Sequence, residues 1–170
     1  MNNRNEILKN FREHYNSDRN ISLRRLKKIL QPLINIRDPE ALLLFSMLFS
    51  GRESNFRKKL SLKLNEEAAN LGFPPAISAL AEWYYNNGDF SKCYPLYQQA
   101  ANMGEPHALY VLSTVYKLGI DGFKKNIERA IEYEERAKKA KKWDFIEGYN
   151  DKFILYEPNL DENFDMEVNA

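Results

Sequence analysis

The sequence AANLGFPPA at residues 68–76 is followed by the related sequence AANMGEPHA at residues 100–108. The offset between them is constant (100 − 68 = 32), and a fixed period of roughly 20–50 residues is typical of stacked structural repeats. In each copy, small residues precede Gly72 or Gly104, and a proline follows two positions later. Glycine accepts the left-handed conformation just past a helix end, and proline suits the first helical turn. Each copy therefore predicts the end of one helix and the start of the next.

Two further periodic patterns predict how these helices pack. In three predicted first helices, a small residue is followed at four-residue spacing by a large apolar and an aromatic residue: Ala41, Phe45 and Phe49; Ala76, Leu80 and Tyr84; Ala108, Leu112 and Tyr116. In the second helices, small residues recur seven positions apart: Ser61 and Ala68, Cys93 and Ala100, Ala130 and Ala137. Because residues one or two turns apart share a helix face, both patterns predict close contact between neighbouring helices.

These patterns predict a single all-α domain, a solenoid of antiparallel helix pairs. Its predicted parts are N-terminal helices or a degenerate repeat (1–37), three repeats (38–72, 73–104 and 105–142), a C-terminal cap (143–156) and an acidic tail (157–170).

The N-terminal region has its own helix signals. A first helix is predicted around residues 5–15, with its arginine and lysine side chains in water. Ser22 is predicted to cap a second helix, and Pro32 predicts a kink or an early end near Gln31. Asp38 is predicted to cap the first good repeat, with Pro39 in its first turn.

The repeats resemble the Sel-one-like repeat family, a branch of the tetratricopeptide-like helical repeats. The third repeat matches the family pattern at Ala108, Leu112, Tyr116, Gly119, Gly122, Ala130 and Ala137, and the second at Ala76, Leu80, Tyr84, Gly88, Ala100, Ala101 and Gly104. The first repeat departs from it, with Phe45 and Phe49 in place of leucine and tyrosine. The resemblance covers residues 38–140 and implies a right-handed superhelix with adaptor or scaffold roles rather than catalysis. Some small bacterial members neutralise a partner toxin, which gives the working hypothesis of an immunity or inhibitor protein.

Composition and motifs favour a non-enzymatic protein. Hydrophobic residues make up 44% of the chain and charged residues 29%, as in ordinary globular domains. The N-terminus lacks a signal-peptide pattern, and one cysteine fits a reducing compartment, so a cytoplasmic location is expected. No phosphate-binding loop or catalytic motif occurs, and no cofactor or metal is expected. Cys93 is interpreted as a buried structural thiol, and His107 as a surface or contact residue rather than a ligand.

A partner protein is expected to bind the concave face formed by the first helices. Positions two, six and nine after each alanine turn away from the packing stripe: Leu43, Met47 and Ser50; Ser78, Glu82 and Tyr85; Tyr110, Thr114 and Lys117. Trp83 and His107 are added to this predicted site. Tyrosines offer large contact area at low entropy cost, although the same aromatics could instead complete packing between repeats.

The uneven charge suggests other partner surfaces. The acidic tail is interpreted first as a solvated end, and the sharper hypothesis is that it reaches a basic surface on this protein or on a partner; its residues are Glu157, Asp161, Glu162, Asp165 and Glu167. The basic clusters at residues 24–28 and 138–142 could contact phosphates and bind nucleic acid weakly. The favoured interpretation is that they are solvent-exposed helix faces. The alternatives to an inhibitor are therefore an adaptor in signalling or secretion and, less favoured, a nucleic-acid binder. Nothing in the sequence suggests membrane binding, and it leaves the oligomeric state open.

Overall fold

A computed structural model of the chain describes residues 3–17, 22–49 and 55–140. In these ranges the secondary structure is entirely helical, which confirms the predicted all-α class. The helices are α1 (Asn3–Ser17), α2 (Leu23–Asn35), α3 (Pro39–Met47), α4 (Asn55–Asn70), α5 (Pro74–Asn86), α6 (Phe90–Asn102), α7 (Pro106–Leu118) and α8 (Ile127–Lys139). The first compact unit of the described chain ends at Ala76, and the second begins at Ile77.

In the first unit, consecutive helices pack against each other. Helix α1 packs on α2, α2 on α3, and α3 on α4. Helix α3 is buried along almost its whole length, from Glu40 to Ser46. A helix that is apolar on all sides belongs in a core, and α3 is the central helix of this unit.

The predicted caps of this unit are confirmed, but the alternative that α2 ends early, near Gln31, is wrong. The Ser22 hydroxyl accepts from the Arg25 amide, and the Asp38 carboxylate accepts from the Glu40 and Ala41 amides. Helix α2 continues through Pro32 to Asn35 instead of ending near Gln31. The buried leucines of α2 lie on both sides of the proline, and their packing stabilises the last turn despite the missing hydrogen bond.

The sequence predicted that the arginine side chains of α1 lie in water, and this is wrong for Arg12. Arg12 is buried and forms an ion pair with Glu40, whose side chain is 0% exposed. Arg4 donates from Nη2 to Glu40 at 3.0 Å and from Nε to Asp38 at 2.6 Å. Glutamate is almost never fully buried unless it is paired, and here two guanidinium groups supply the pairing. This ion-pair network ties α1 to the start of α3.

In the second unit, the repeat period reappears in the helix bounds. Helices α5 and α7 both begin at a proline and both have 13 residues. Gly104, with φ of 79°, ends the turn before α7, as predicted. Glu105 caps α7 by accepting from the amides of His107 and Ala108. Helix α6 packs on α7, and α7 packs on α8.

The packing stripes predicted for this region are largely buried. Ala108, Leu112 and Tyr116 all lie in the core, and the Tyr116 ring stacks on Tyr133 of α8 at 5.8 Å. The second-helix stripe is buried at Cys93, Ala100 and Ala130. Three members of the two patterns are only half-buried: Phe49, Tyr84 and Ala137.

Several predicted features lie outside the described residues. These are Ser50, residues 141 and 142 of the third repeat, the cap at 143–156, and all five acidic tail residues. Within the described ranges, none of the helices has both the length and the hydropathy needed to cross a bilayer.

Candidate functional site

The structure brings α5 and α7 together where Ser78 meets His107. The Ser78 hydroxyl lies 3.1 Å from Nδ1 of His107, and the imidazole ring packs edge-on against the ring of Tyr97 at 6.0 Å. Ser78 is buried, whereas His107 is exposed. His107 therefore lies at the surface with one ring nitrogen held by α5, as its interpretation as a surface or contact residue requires.

The outer side of α7 presents three of the predicted residues along one face. Tyr110 is 65% exposed, Lys117 is exposed, and Thr114 lies half-buried between them. The Thr114 hydroxyl donates to the Tyr110 carbonyl at 3.0 Å, so the threonine satisfies its donor within the helix. The Tyr110 ring is the largest apolar group on this face, and it lies mostly in water.

At the other end of α5, two aromatic rings form an exposed pair. Tyr85 is 41% exposed, and its ring centroid lies 5.5 Å from that of Phe90 at the start of α6. Phe90 packs in turn on buried Tyr94, and the Tyr94 hydroxyl donates to the Asp121 carboxylate at 2.5 Å. Because this buried tyrosine is fixed at both ends, the exposed pair rests on a rigid base.

Phe90 was not among the predicted site residues. Tyr85 is the last residue but one of α5 and Phe90 is the first of α6, so the short connection at 87–89 brings their side chains close together. This juxtaposition is the signal that could have identified Phe90 from the sequence. We group six exposed residues of the second unit with the half-buried Thr114 under the name α5–α7 face: Glu82, Tyr85, Phe90, His107, Tyr110, Thr114 and Lys117.

The remaining predicted residue of α5, Trp83, packs against its neighbour in the helix. Its ring is half-buried and packs edge-on against Tyr84 at 5.2 Å. Glu82 is exposed and acts electrostatically on Tyr97, whose pKa is raised by burial first and then by this carboxylate. The face thus carries both an acidic group and, at Lys117, a basic one.

Two predicted contact residues are buried and offer almost no surface to a partner. Leu43 and Ser78 are each 3% exposed, so their predicted exposure to a groove is wrong. Leu43 belongs to α3, which is buried from Glu40 to Ser46, and the His107 side chain hydrogen-bonds to Ser78. Met47, the other predicted residue of α3 that the structure describes, is 38% exposed and belongs to the first unit.

The one cysteine is buried, as interpreted from the sequence. Burial, followed by the charges of Asp121 and Asp89, raises the pKa of the Cys93 thiol to about 12. A nucleophilic thiol needs a lowered pKa and access to solvent, and Cys93 has neither. Among the residues of the described ranges, no three His, Cys, Asp or Glu side chains cluster in a way that could hold a metal ion.

The chain is similar to part of a known protein. The chain is 30% identical over 125 residues to chitin synthase regulatory factor 3 of Schizosaccharomyces pombe. The match covers 70% of this chain but only 13% of that much longer protein. No protein-family model matches the chain. The similarity is therefore to one segment of a regulatory protein.

Proposed function

We propose that the chain is a protein-binding module of the Sel-one-like repeat type, and that it binds its partner through the α5–α7 face. The observation that carries the proposal is the exposure of Tyr85, Phe90 and Tyr110 on helices that are otherwise anchored in the core. Single exposed apolar residues are common, but an exposed aromatic pair on a rigid base is a favourable binding surface.

The chemistry of the face suits a protein partner. Tyrosine buries a large ring while its hydroxyl keeps a hydrogen-bond partner, and few rotatable bonds have to be ordered on binding. The carboxylate of Glu82 and the ammonium of Lys117 add charges of opposite sign around these rings. A mixed rim of this kind gives specificity and faster association rather than raw affinity.

The similarity to a regulatory factor supports a regulatory or adaptor role. Binding without chemistry also agrees with the buried, neutral Cys93 thiol. We also propose that the protein is located in the cytoplasm. A right-handed superhelix is part of the proposed repeat assignment.

We keep the immunity or inhibitor hypothesis as a second form of the same binding activity, because some small bacterial members of the Sel-one-like repeat family neutralise a partner toxin. An inhibitor would bind a toxic enzyme with one-to-one stoichiometry and abolish its activity, whereas an adaptor would leave its partner active. Co-expression with the captured partner distinguishes the two: rescue of growth from a toxic partner supports the inhibitor form, and unchanged partner activity supports the adaptor.

The proposal is tested by quantitative affinity capture followed by titration with the identified partner. The wild-type chain is compared with the double variant Tyr85→Ala/Tyr110→Ala and with Phe56→Ala, which removes a 76% exposed ring from α4. If both tyrosines are hot-spot residues worth about 2 kcal/mol each, the double variant is expected to bind roughly 1,000-fold more weakly. The Phe56→Ala control is expected to bind normally. Equal affinity of the double variant and the wild type, with helicity preserved, would contradict the proposal.

A further inference from the structure

The first unit carries a second surface of a different character, the outer side of α2. Four cationic side chains are exposed there: Arg24, Arg25, Lys27 and Lys28. Helix α2 contains no acidic residue at all. Its opposite side is anchored by the buried leucines at positions 26, 30 and 33, which pack on the neighbouring helices. The four cations therefore lie on one rigid, outward-facing surface, which we call the α2 basic face.

The described part of the unit does not neutralise this face. No carboxylate in the described ranges forms a salt bridge with any of the four cations, and the same holds for the exposed cations of α4 at residues 57–59 and 63, whereas Arg4, Arg12 and Arg37 have acidic partners. Two contacts of the face are to aromatic rings instead. Arg25 Nη2 lies 3.3 Å from the ring nitrogen Nε2 of His14, and Lys27 Nζ lies 5.7 Å from the centre of the Phe45 ring.

Charge along the chain is concentrated in the same unit. Residues 1–76 hold fourteen lysine and arginine and eight acidic residues, a net charge of +6 (14 − 8). Residues 77–140 hold eight of each and are neutral (8 − 8 = 0). The whole chain has a net charge of only +1, so the basic charge of the first unit is a local feature. Local charge of one sign attracts a partner of the other sign and speeds its association.

We infer that the α2 basic face docks an acidic segment of a partner protein, separately from the α5–α7 face. An acidic peptide supplies closely spaced carboxylates, which match four cations clustered within about one and a half helical turns. A nucleic acid fits less well, because α2 offers no aromatic side chain on which a base could stack. Helix α2 also has no glutamine or asparagine among its four cations for reading base edges.

The test uses fluorescein-labelled decaglutamate, with fluorescence anisotropy of the full chain at low and at physiological salt. The variant Arg24→Gln/Arg25→Gln/Lys27→Gln/Lys28→Gln removes the four positive charges of the α2 basic face. The matched control Arg57→Gln/Lys58→Gln/Lys59→Gln/Lys63→Gln removes four exposed charges from α4 of the same unit. If the quadruple α2 variant is not folded by circular dichroism, Arg24→Gln/Lys28→Gln replaces it.

The α2 variant is expected to bind decaglutamate about tenfold or more weakly, since four charge contacts are lost, and the α4 control less than about threefold more weakly. The wild-type affinity is expected to fall as salt rises, because the contacts are exposed. Equal losses in the two variants would show a net-charge effect and overturn the inference. Tighter binding of an oligothymidylate of the same length, with the same dependence on α2, would also overturn it in favour of a nucleic acid.

Discussion

Arg12 of α1 donates to the carboxylate of Glu40 at the start of α3, although 28 residues separate them in the chain. Both side chains are buried, and Arg4 donates to the second oxygen of the same carboxylate. Together with the buried side chains of Leu8 and Phe11, these ion pairs join α1 to the rest of the first unit.

Glu40→Gln is expected to destabilise the first unit by about 3 kcal/mol, because removing one partner leaves buried guanidinium charge uncompensated. Urea denaturation followed by circular dichroism measures the loss. The control is Lys9→Gln, which breaks the exposed Lys9–Glu13 pair and is expected to leave the midpoint almost unchanged. Equal midpoints for Glu40→Gln and the wild type would show that the buried pair adds no stability.

The sequence predicted the boundary between α6 and α7 well, because the signals for it are local, although one of the two alternatives for α2 placed its end too early. Gly104 needs a left-handed backbone, Pro106 fixes φ in a first turn, and both effects are complete within a few residues. The burial of Arg12 could not be predicted in the same way, since its partner Glu40 is recognised only once α1 and α3 are packed together.

The candidate face was predicted only in part for a related reason. The rule that positions two, six and nine after each alanine are exposed assumes that every first helix has the same surroundings. It holds for Glu82 and Tyr110, but α3 is enclosed by its neighbours, so Leu43 is buried instead. Ser78 is buried where the His107 side chain reaches across from α7. Such contacts depend on the rotation of each helix within its unit, which periodicity does not determine.

Gly119 is expected to tolerate substitution worse than Gly88, although both have positive φ. A left-handed alanine costs about 1–2 kcal/mol at either position. At Gly119, an added Cβ would also lie 2.9 Å from the backbone nitrogen of Lys125, whereas at Gly88 it would meet open space. Thermal unfolding should therefore show a larger loss for Gly119→Ala than for Gly88→Ala. A larger loss at Gly88 would contradict this account of the α7–α8 turn.

The Cys93 thiol is expected to react slowly with Ellman's reagent in the folded protein. Its pKa is raised to about 12, so almost no thiolate is present at pH 8, and the side chain is buried. Because the folded pKa lies above the ordinary value of 9.0, burial of the neutral thiol adds stability below pH 9, and this contribution is lost as the pH rises towards 12. In urea the rate should rise to that of a free thiol. Rapid reaction without denaturant would mean that Cys93 is accessible and contradict its burial.

Deletion of residues 157–170 is expected to weaken partner binding and to flatten its salt dependence, if the acidic tail reaches a basic surface on the partner. Isothermal titration at two salt concentrations measures both effects. A matched variant with the five tail acids replaced by glutamine or asparagine separates charge from chain length. Unchanged affinity in both variants would show that the tail does not contribute to partner binding.

The central claim is that a partner protein contacts the α5–α7 face, and site-specific photocrosslinking tests it most directly. A benzophenone amino acid is placed at Tyr110, which is largely exposed, and in a second protein at Phe56 on α4 as the control position. Illumination in the presence of the captured partner is expected to give a covalent adduct from position 110 and little from position 56. An adduct from position 56 with none from position 110 would contradict the claim.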